Sequence, residues 1–361
     1  MTDHNGALRF KAGAEAYSAI RADGFAAERI GTLVGASGGA KWLVLSQIDR
    51  VLVERLVPKI DGPLHLLGSS IGAWRFACYA QRDPVAAIGR FEEAYLQQSY
   101  SEKPDADEIT RKSREILELI LGDVGVSEIL DHPRLRTNIM TVRGRHLVGS
   151  EIRPVLAAGL LLAMTANVMS RRALGAFFSR GLFYDARDLP PFFDVDGFPL
   201  HRIPLDESNL ADAVIASGSI PMVLNGVRNI AGAPAGTYRD GGVIDYHLDL
   251  PTASDDRFTL FPHFFAWLKP GWFDRQLGWR AVDPLNFRRT VLICPSDEFI
   301  AELPGGKVPD RTDFVRLSQA ERVRVWTAVV DRCRQLADEL DEVLERDLLA
   351  ARLEPLFERP A

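Results

Sequence analysis

Residues 68–74 read GSSIGAW and follow the apolar run PLHLL at 63–67. An apolar strand that runs through a small-residue turn into a helix, here IGAWRFACYAQ (71–81), is the repeating unit of a sheet covered by helices. The same order stands one step earlier, where IGTLVGAS (30–37) leads through glycines into AKWLVLSQIDRVLVERLV (40–57), an expected amphipathic helix. Ser70 sits between Gly68 and Gly72, and two readings of it stand side by side. In a nucleophile elbow the glycines remove Cβ atoms where the strand turns sharply, leaving the hydroxyl exposed at the sheet edge. In an ordinary turn they do the same steric work without chemistry.

Further along, Asp83-Pro84 predicts an N-cap and first turn for a helix to about Tyr100, and residues 105–122 have a helical period ending at glycine. RTNIMTVR (136–143) and RRTVLICPS (288–296) predict strands, TYRDGGVIDYHLDLP (237–251) a strand ending in a turn, and 185–200 a proline-rich loop. In the tail, 317–356, apolar residues recur at three- and four-residue steps from Trp326 to Leu344, which predicts helices packed on the parent domain. The simplest division is a catalytic domain over 1–300 and a loop-and-helix extension over 301–361; LPGGKVPDRTDF (303–314) within it is a candidate lid.

With 361 residues, 47% hydrophobic and a net charge of −6, the chain has the composition of a globular protein and lacks the basic balance of a nucleic-acid binder. Cys78, Cys294 and Cys333 lack metal-ligand spacing and are expected as reduced thiols of a cytoplasmic protein; the polar start MTDHNGALRF carries no apolar signal core. Residues 154–170, PVLAAGLLLAMTANVMS, hold no charge, and Arg171 and Arg172 follow. A buried helix is the expectation. The alternative is peripheral contact with a lipid surface through 154–180, helped by Arg180, Phe177 and Phe178.

Two more short stretches bear on Ser70. GASGGAKW (35–42) fails as a phosphate loop because Lys41 is followed by Trp42, but its small residues leave backbone N–H groups unshielded at a helix start, where they can hold a developing oxyanion. RDGGVIDYH (239–247) places Asp240 at a strand end ahead of Gly241 and Gly242, as a plain turn or as a carboxylate able to take a hydroxyl proton. Taken in order, the glycine loop, GxSxG, ASGSIP (216–221) and DGG resemble the patatin-like phospholipases over residues 30 to 250.

That resemblance implies a three-layer α/β/α sandwich around a mostly parallel sheet, with Ser70 as nucleophile and Asp240 as its base. Gly38 and Gly39 match the oxyanion-hole glycines, supported by Lys41, Gly68, Gly72, Gly241 and Gly242. It implies a lipid or other acyl-ester substrate and neither metal nor cofactor; oligomeric state stays open. Two departures stand out. Ser37 replaces the first glycine of the loop and Trp42 follows Lys41, while Asp245, Tyr246 and His247 stand where the family often has asparagines and a proline. Two rivals remain: a triad esterase using His247 or His263, and a non-catalytic membrane or interaction module of the same fold.

Overall fold

IGTLVG and LHLLGS, the two runs ahead of the glycine turns, are buried at every position, as strands covered on both faces must be. In the computed structural model, which describes residues 6–254 and 256–357, they are the centre of one sheet. In chain order the strands are β1 (Leu8–Ala12), β2 (Ile30–Gly35), β3 (Leu64–Ser69), β4 (Leu135–Gly144), β5 (Phe178–Tyr184) and β6 (Leu200–Pro204). β7 (Val227–Arg228), β8 (Thr237–Asp240), β9 (Phe258–Pro262), β10 (Thr290–Pro295) and β11 (Leu353–Pro355) complete it. Across the sheet the order is β11-β1-β10-β9-β2-β3-β4-β5-β6, with β8 paired to β4 and β7. The run from β10 to β4 is parallel throughout.

Helices flank this sheet in a three-layer α/β/α arrangement. Ile71–Tyr79 leaves β3 at Ser70 and is buried along its whole length. Pro84–Gln97 packs beside it, its first turn capped by Asp83, whose side chain accepts the Ala86 N–H at 3.0 Å. Close approach of the first two βα units depends on glycine: a Cβ on Gly72 would lie 1.9 Å from the Gly35 carbonyl oxygen, and one on Gly68 2.5 Å from Ala73 Cα.

Several elements differ from the sequence expectation. The helix expected over 40–57 is a 3-10 turn (Gly39–Val44), a short α-helix (Ser46–Val51) and a π turn (Leu52–Leu56), the last bringing Leu52, Val53 and Leu56 all inward. The strand that opens TYRDGGVIDYHLDLP ends at Asp240, as expected, and the turn after it is a 3-10 turn from Gly241 to Val243. The tail is helical over Gln319–Arg332, Arg334–Glu345 and Leu349–Arg352, and then Leu353–Pro355 returns as β11 beside β1. Trp326, Cys333, Leu336 and Leu340 are buried against the main body.

Residues 153–169 form a helix, but only one side of it is covered. Leu156, Gly159, Ala163 and Asn167 face inward onto a small cluster that includes Val243, Ile244 and Phe273. Leu161 is 57% exposed, Leu162 51% and Met169 89%, so a wholly buried helix is ruled out. Of the groups expected to face lipid, Phe178 is in the core and Arg180 is buried in a bidentate pair with Asp245, at 2.8 Å for each bond. No helix among the described residues is long and apolar enough to cross a membrane.

Candidate active site

Ser70 is the hinge between β3 and the helix Ile71–Tyr79, and its backbone adopts φ 54°, ψ −126°. Positive φ at a residue with a Cβ costs on the order of 1–3 kcal/mol and persists only where surroundings enforce it. Here the Ser70 N–H donates to Ser217 Oγ at 2.8 Å, and Ser217 in turn donates to the Met140 carbonyl at 2.7 Å. The elbow thus turns the Ser70 hydroxyl away from the strand and toward Asp240.

Asp240 ends β8, which pairs antiparallel with β4. Its N–H donates to the Ser219 carbonyl at 3.0 Å. Its carboxylate has two partners: Ser70 Oγ donates to Oδ2 at 2.7 Å, and the Gly242 N–H donates to Oδ1 at 2.7 Å. Ser70 is 5% exposed and Asp240 6%. Burial pushes the Asp240 carboxyl up from 3.8 to about 6, against the two hydrogen bonds and the nearby charge of Arg311. A carboxylate with its proton affinity raised to that level is matched to proton transfer near neutral pH.

The two remaining motifs close around this pair. Gly38 precedes the 3-10 turn, and Gly39, at φ 56°, begins it; N–H groups ahead of a first turn have no partner within it. A Cβ on Gly38 would strike the Phe264 ring at 2.5 Å. Lys41 Nζ donates to the Gly38 carbonyl at 3.4 Å, and burial, with Arg275 nearby, lowers its ammonium to about 8. Ser37, in the place of the family's first glycine, donates its hydroxyl to Ser69 Oγ at 3.0 Å and its N–H to the Tyr246 carbonyl at 2.9 Å. It ties the glycine loop to β3 and to the segment after Gly242. Trp42 stacks on Phe91 at 4.2 Å, in the helix layer.

The structure therefore brings together Ser70, Asp240 and the glycines of all three turns. It leaves the histidines out. His247 Nδ1 accepts the Lys269 N–H at 3.0 Å, and His263 Nδ1 lies 2.7 Å from the Phe265 carbonyl. Burial holds His247 well below its ordinary range and His263 at about 3, so both are neutral. Four serines that sequence reasoning assigned no role support the pair: Ser37 and Ser69, joined across the two turns, and Ser217 and Ser219 in ASGSIP, which hold the backbones of the two reactive residues.

The three-layer α/β/α fold thus carries a serine elbow at positive φ whose hydroxyl is bonded to a buried carboxylate. Residues 33–247 match the model of the family described as patatin-like phospholipase, and the chain belongs to that family. Membership supports lipid acyl hydrolase activity in general. Among solved structures, the crystal structure of VipD from Legionella pneumophila matches at 12% identity, over 94% of this chain and 72% of that one, with a TM-score of 0.34. No curated protein matches the chain.

Proposed function

We propose that the protein is a serine acyl hydrolase that cleaves carboxylic esters of lipids through Ser70 and Asp240. Ser70 Oγ attacks the ester carbonyl carbon as its proton passes to Asp240 Oδ2. The Gly38 and Gly39 N–H groups hold the oxyanion, a contribution of about 100- to 1000-fold per donor. The tetrahedral species collapses, Asp240 returns the proton to the departing alcohol, and the acyl group remains on Ser70. Water then attacks the acyl-enzyme with Asp240 as base, releasing the acid and restoring the hydroxyl.

The observation that carries this reading is the 2.7 Å bond from Ser70 Oγ to Asp240 in a site nearly closed to water. It favours a dyad over a triad, because both Asp240 oxygens are already engaged and neither His247 nor His263 bonds to the pair. Peripheral contact with a lipid surface belongs to the same proposal. The uncharged outer face of the helix Arg153–Met169 carries exposed Leu161, Leu162, Met164, Val168 and Met169, with exposed Arg153 and Arg172 at its two ends to suit an anionic bilayer.

A fluorophosphonate probe tests the chemistry. Label located on Ser70 by mass spectrometry, with ester turnover lost in Ser70→Ala, is the expected result. No label and no turnover in the wild-type protein, with lipid vesicles present as well, would point instead to a non-catalytic module.

A further inference from the structure

Two arginines outside the family match, Arg275 and Arg311, stand over aromatic rings near the Asp-Gly-Gly turn. The Arg275 guanidinium lies over the Tyr246 ring, 5.5 Å from its centroid, and Arg311 over Trp272, at 5.8 Å. Both aromatic supports belong to the surroundings of the Asp-Gly-Gly turn. Tyr246 donates its N–H to the Pro270 carbonyl and accepts from the Ser37 N–H, and Trp272 packs on the cluster that includes Val243 and Ile244. A third cation, Lys41, stands in the glycine loop, 5.8 Å from the Phe264 centroid. Arg275 rests on Tyr246, whose carbonyl accepts the Ser37 N–H, and Arg311 rests on Trp272, in the same turn as Arg275. Lys41 faces the Phe264 ring that a Cβ on Gly38 would strike, so the three cations border the glycine loop and the segment after the Asp-Gly-Gly turn.

Nearby carboxylates are committed elsewhere. Asp274 is bound by Arg171, Arg280 and Asn167. Asp310 and Asp313 both hold Lys307 Nζ, at 3.1 and 2.6 Å, and Asp313 also accepts the Trp326 indole N–H at 3.0 Å. These bonds pin the 303–314 segment from both sides of Arg311, a residue that is itself exposed. Like charges held together on aromatic faces repel one another, and an arriving anion relieves that cost. Guanidinium groups suit the oxygens of a phosphate in particular, through paired charge-assisted hydrogen bonds.

We propose that Arg275 and Arg311, with Lys41, form a subsite for a phosphate carried on the acyl ester that Ser70 attacks. This rests on the hydrolase reading above. The phosphate belongs either to a phospholipid headgroup or to a soluble acyl thioester with a phosphorylated carrier.

The test compares wild type with Arg275→Gln/Arg311→Gln on monomeric substrates, which removes attraction to a bilayer. Substrates are dihexanoyl phosphatidylglycerol against dihexanoylglycerol, and butyryl-coenzyme A against S-butyryl-N-acetylcysteamine, with p-nitrophenyl butyrate as reference. The double variant is expected to lose at least about tenfold in kcat/KM on one phosphate-bearing member while staying within about twofold on p-nitrophenyl butyrate. Loss confined to phosphatidylglycerol identifies a headgroup, and loss confined to the coenzyme A ester a soluble carrier. Equal loss on charged and uncharged esters, or none, overturns the subsite. A shifted pH profile on p-nitrophenyl butyrate with no change in the substrate ratio also overturns it, since the arginines would then serve only to tune Asp240. Calorimetry of dihexanoyl phosphatidylglycerol on Ser70→Ala, with and without the two arginines, reads the subsite separately from turnover. The same titration is made with butyryl-coenzyme A. About tenfold weaker binding of either ligand without the arginines supports the subsite, and equal binding of both sinks it even where hydrolysis stands.

Discussion

The turn Gly68–Gly72 and the helix Arg153–Met169 draw on the same small, uncharged residues, and the structure uses them in opposite ways. At the turn, missing side chains let backbones meet: Gly72 lies against Gly35 so closely that no Cβ fits, and Ser70 beside it is held at positive φ with its hydroxyl aimed at Asp240. In the helix, glycine and alanine at 159 and 163 bring its inner side onto the cluster around Val243 and Ile244, while Leu161, Leu162, Met164 and Met169 point outward. Absence of charge therefore means contact with backbone in one case and contact with solvent, or whatever covers the face, in the other. The two regions should respond differently to substitution.

The largest expected effect is chemical. Ser70→Ala should lower kcat/KM on p-nitrophenyl butyrate by about 10⁴-fold or more, and Asp240→Asn by a comparable factor, whereas His247→Ala, judged on its soluble folded fraction, should retain turnover. Loss of activity in the histidine variant with its fold intact would break the dyad reading. Next in size is packing. Gly72→Ala should destabilise the fold by about 3 kcal/mol or more, because the obstructing atom is backbone and cannot rotate away, while alanine at exposed positions of the helix should be nearly neutral. Urea melts of both variants check this.

Asp240 gives a third contrast, in which function is set against stability. Its carboxyl stands at about 6 in the fold against an ordinary 3.8, so the native state binds this proton more tightly than the unfolded chain does. The associated stability is fully present below the ordinary value and lost as pH rises through 6. At pH 8 the cost amounts to about 3 kcal/mol. Asparagine there carries no charge and still accepts the Gly242 N–H. Asp240→Asn is therefore expected to be inactive and more stable than wild type at pH 8, by about 2 kcal/mol, with the gap closing toward pH 4. Wild-type kcat/KM should fall tenfold per pH unit below about 6. Equal stabilities at both pH values would mean that the site is wetter than its burial indicates.

What could be read from the sequence follows from how local the causes are. β2 and β3 are legible because every residue but His65 is apolar or small and all are buried, and Ser70 and Asp240 because the turns around them demand glycine at fixed positions. β5 was not: its FSRGLFY contains a buried arginine that is tolerated only because Asp245, 65 residues away, pairs with it. β11 was not, since three residues after a long helical period carry no pattern of their own. The supporting serines and the two arginines escaped for the same reason: an isolated hydroxyl or guanidinium acquires its role from partners that only the tertiary fold supplies. The helix at 153–169 was found at its right place, and its environment could not be told because both of its faces are apolar.

That last ambiguity can be resolved by charge. Leu161 and Leu162 point outward at mid-helix and take no part in the hydrogen bonds that join Ser70, Ser217 and Asp240. Leu161→Asp/Leu162→Asp should leave the urea midpoint nearly unchanged, since exposed substitutions stay within about 0.5 kcal/mol each. It should also leave hydrolysis of monomeric p-nitrophenyl butyrate intact. If the outer face meets an anionic bilayer, sedimentation with phosphatidylglycerol vesicles should weaken by about tenfold, through lost apolar burial and added repulsion from the lipid charge. If it instead covers a second copy of the chain, vesicle binding stays as it was and the variant changes its sedimentation coefficient. A variant that unfolds would show that this side of the helix is as buried as the inner one, and the contrast with the Gly68–Gly72 turn would collapse.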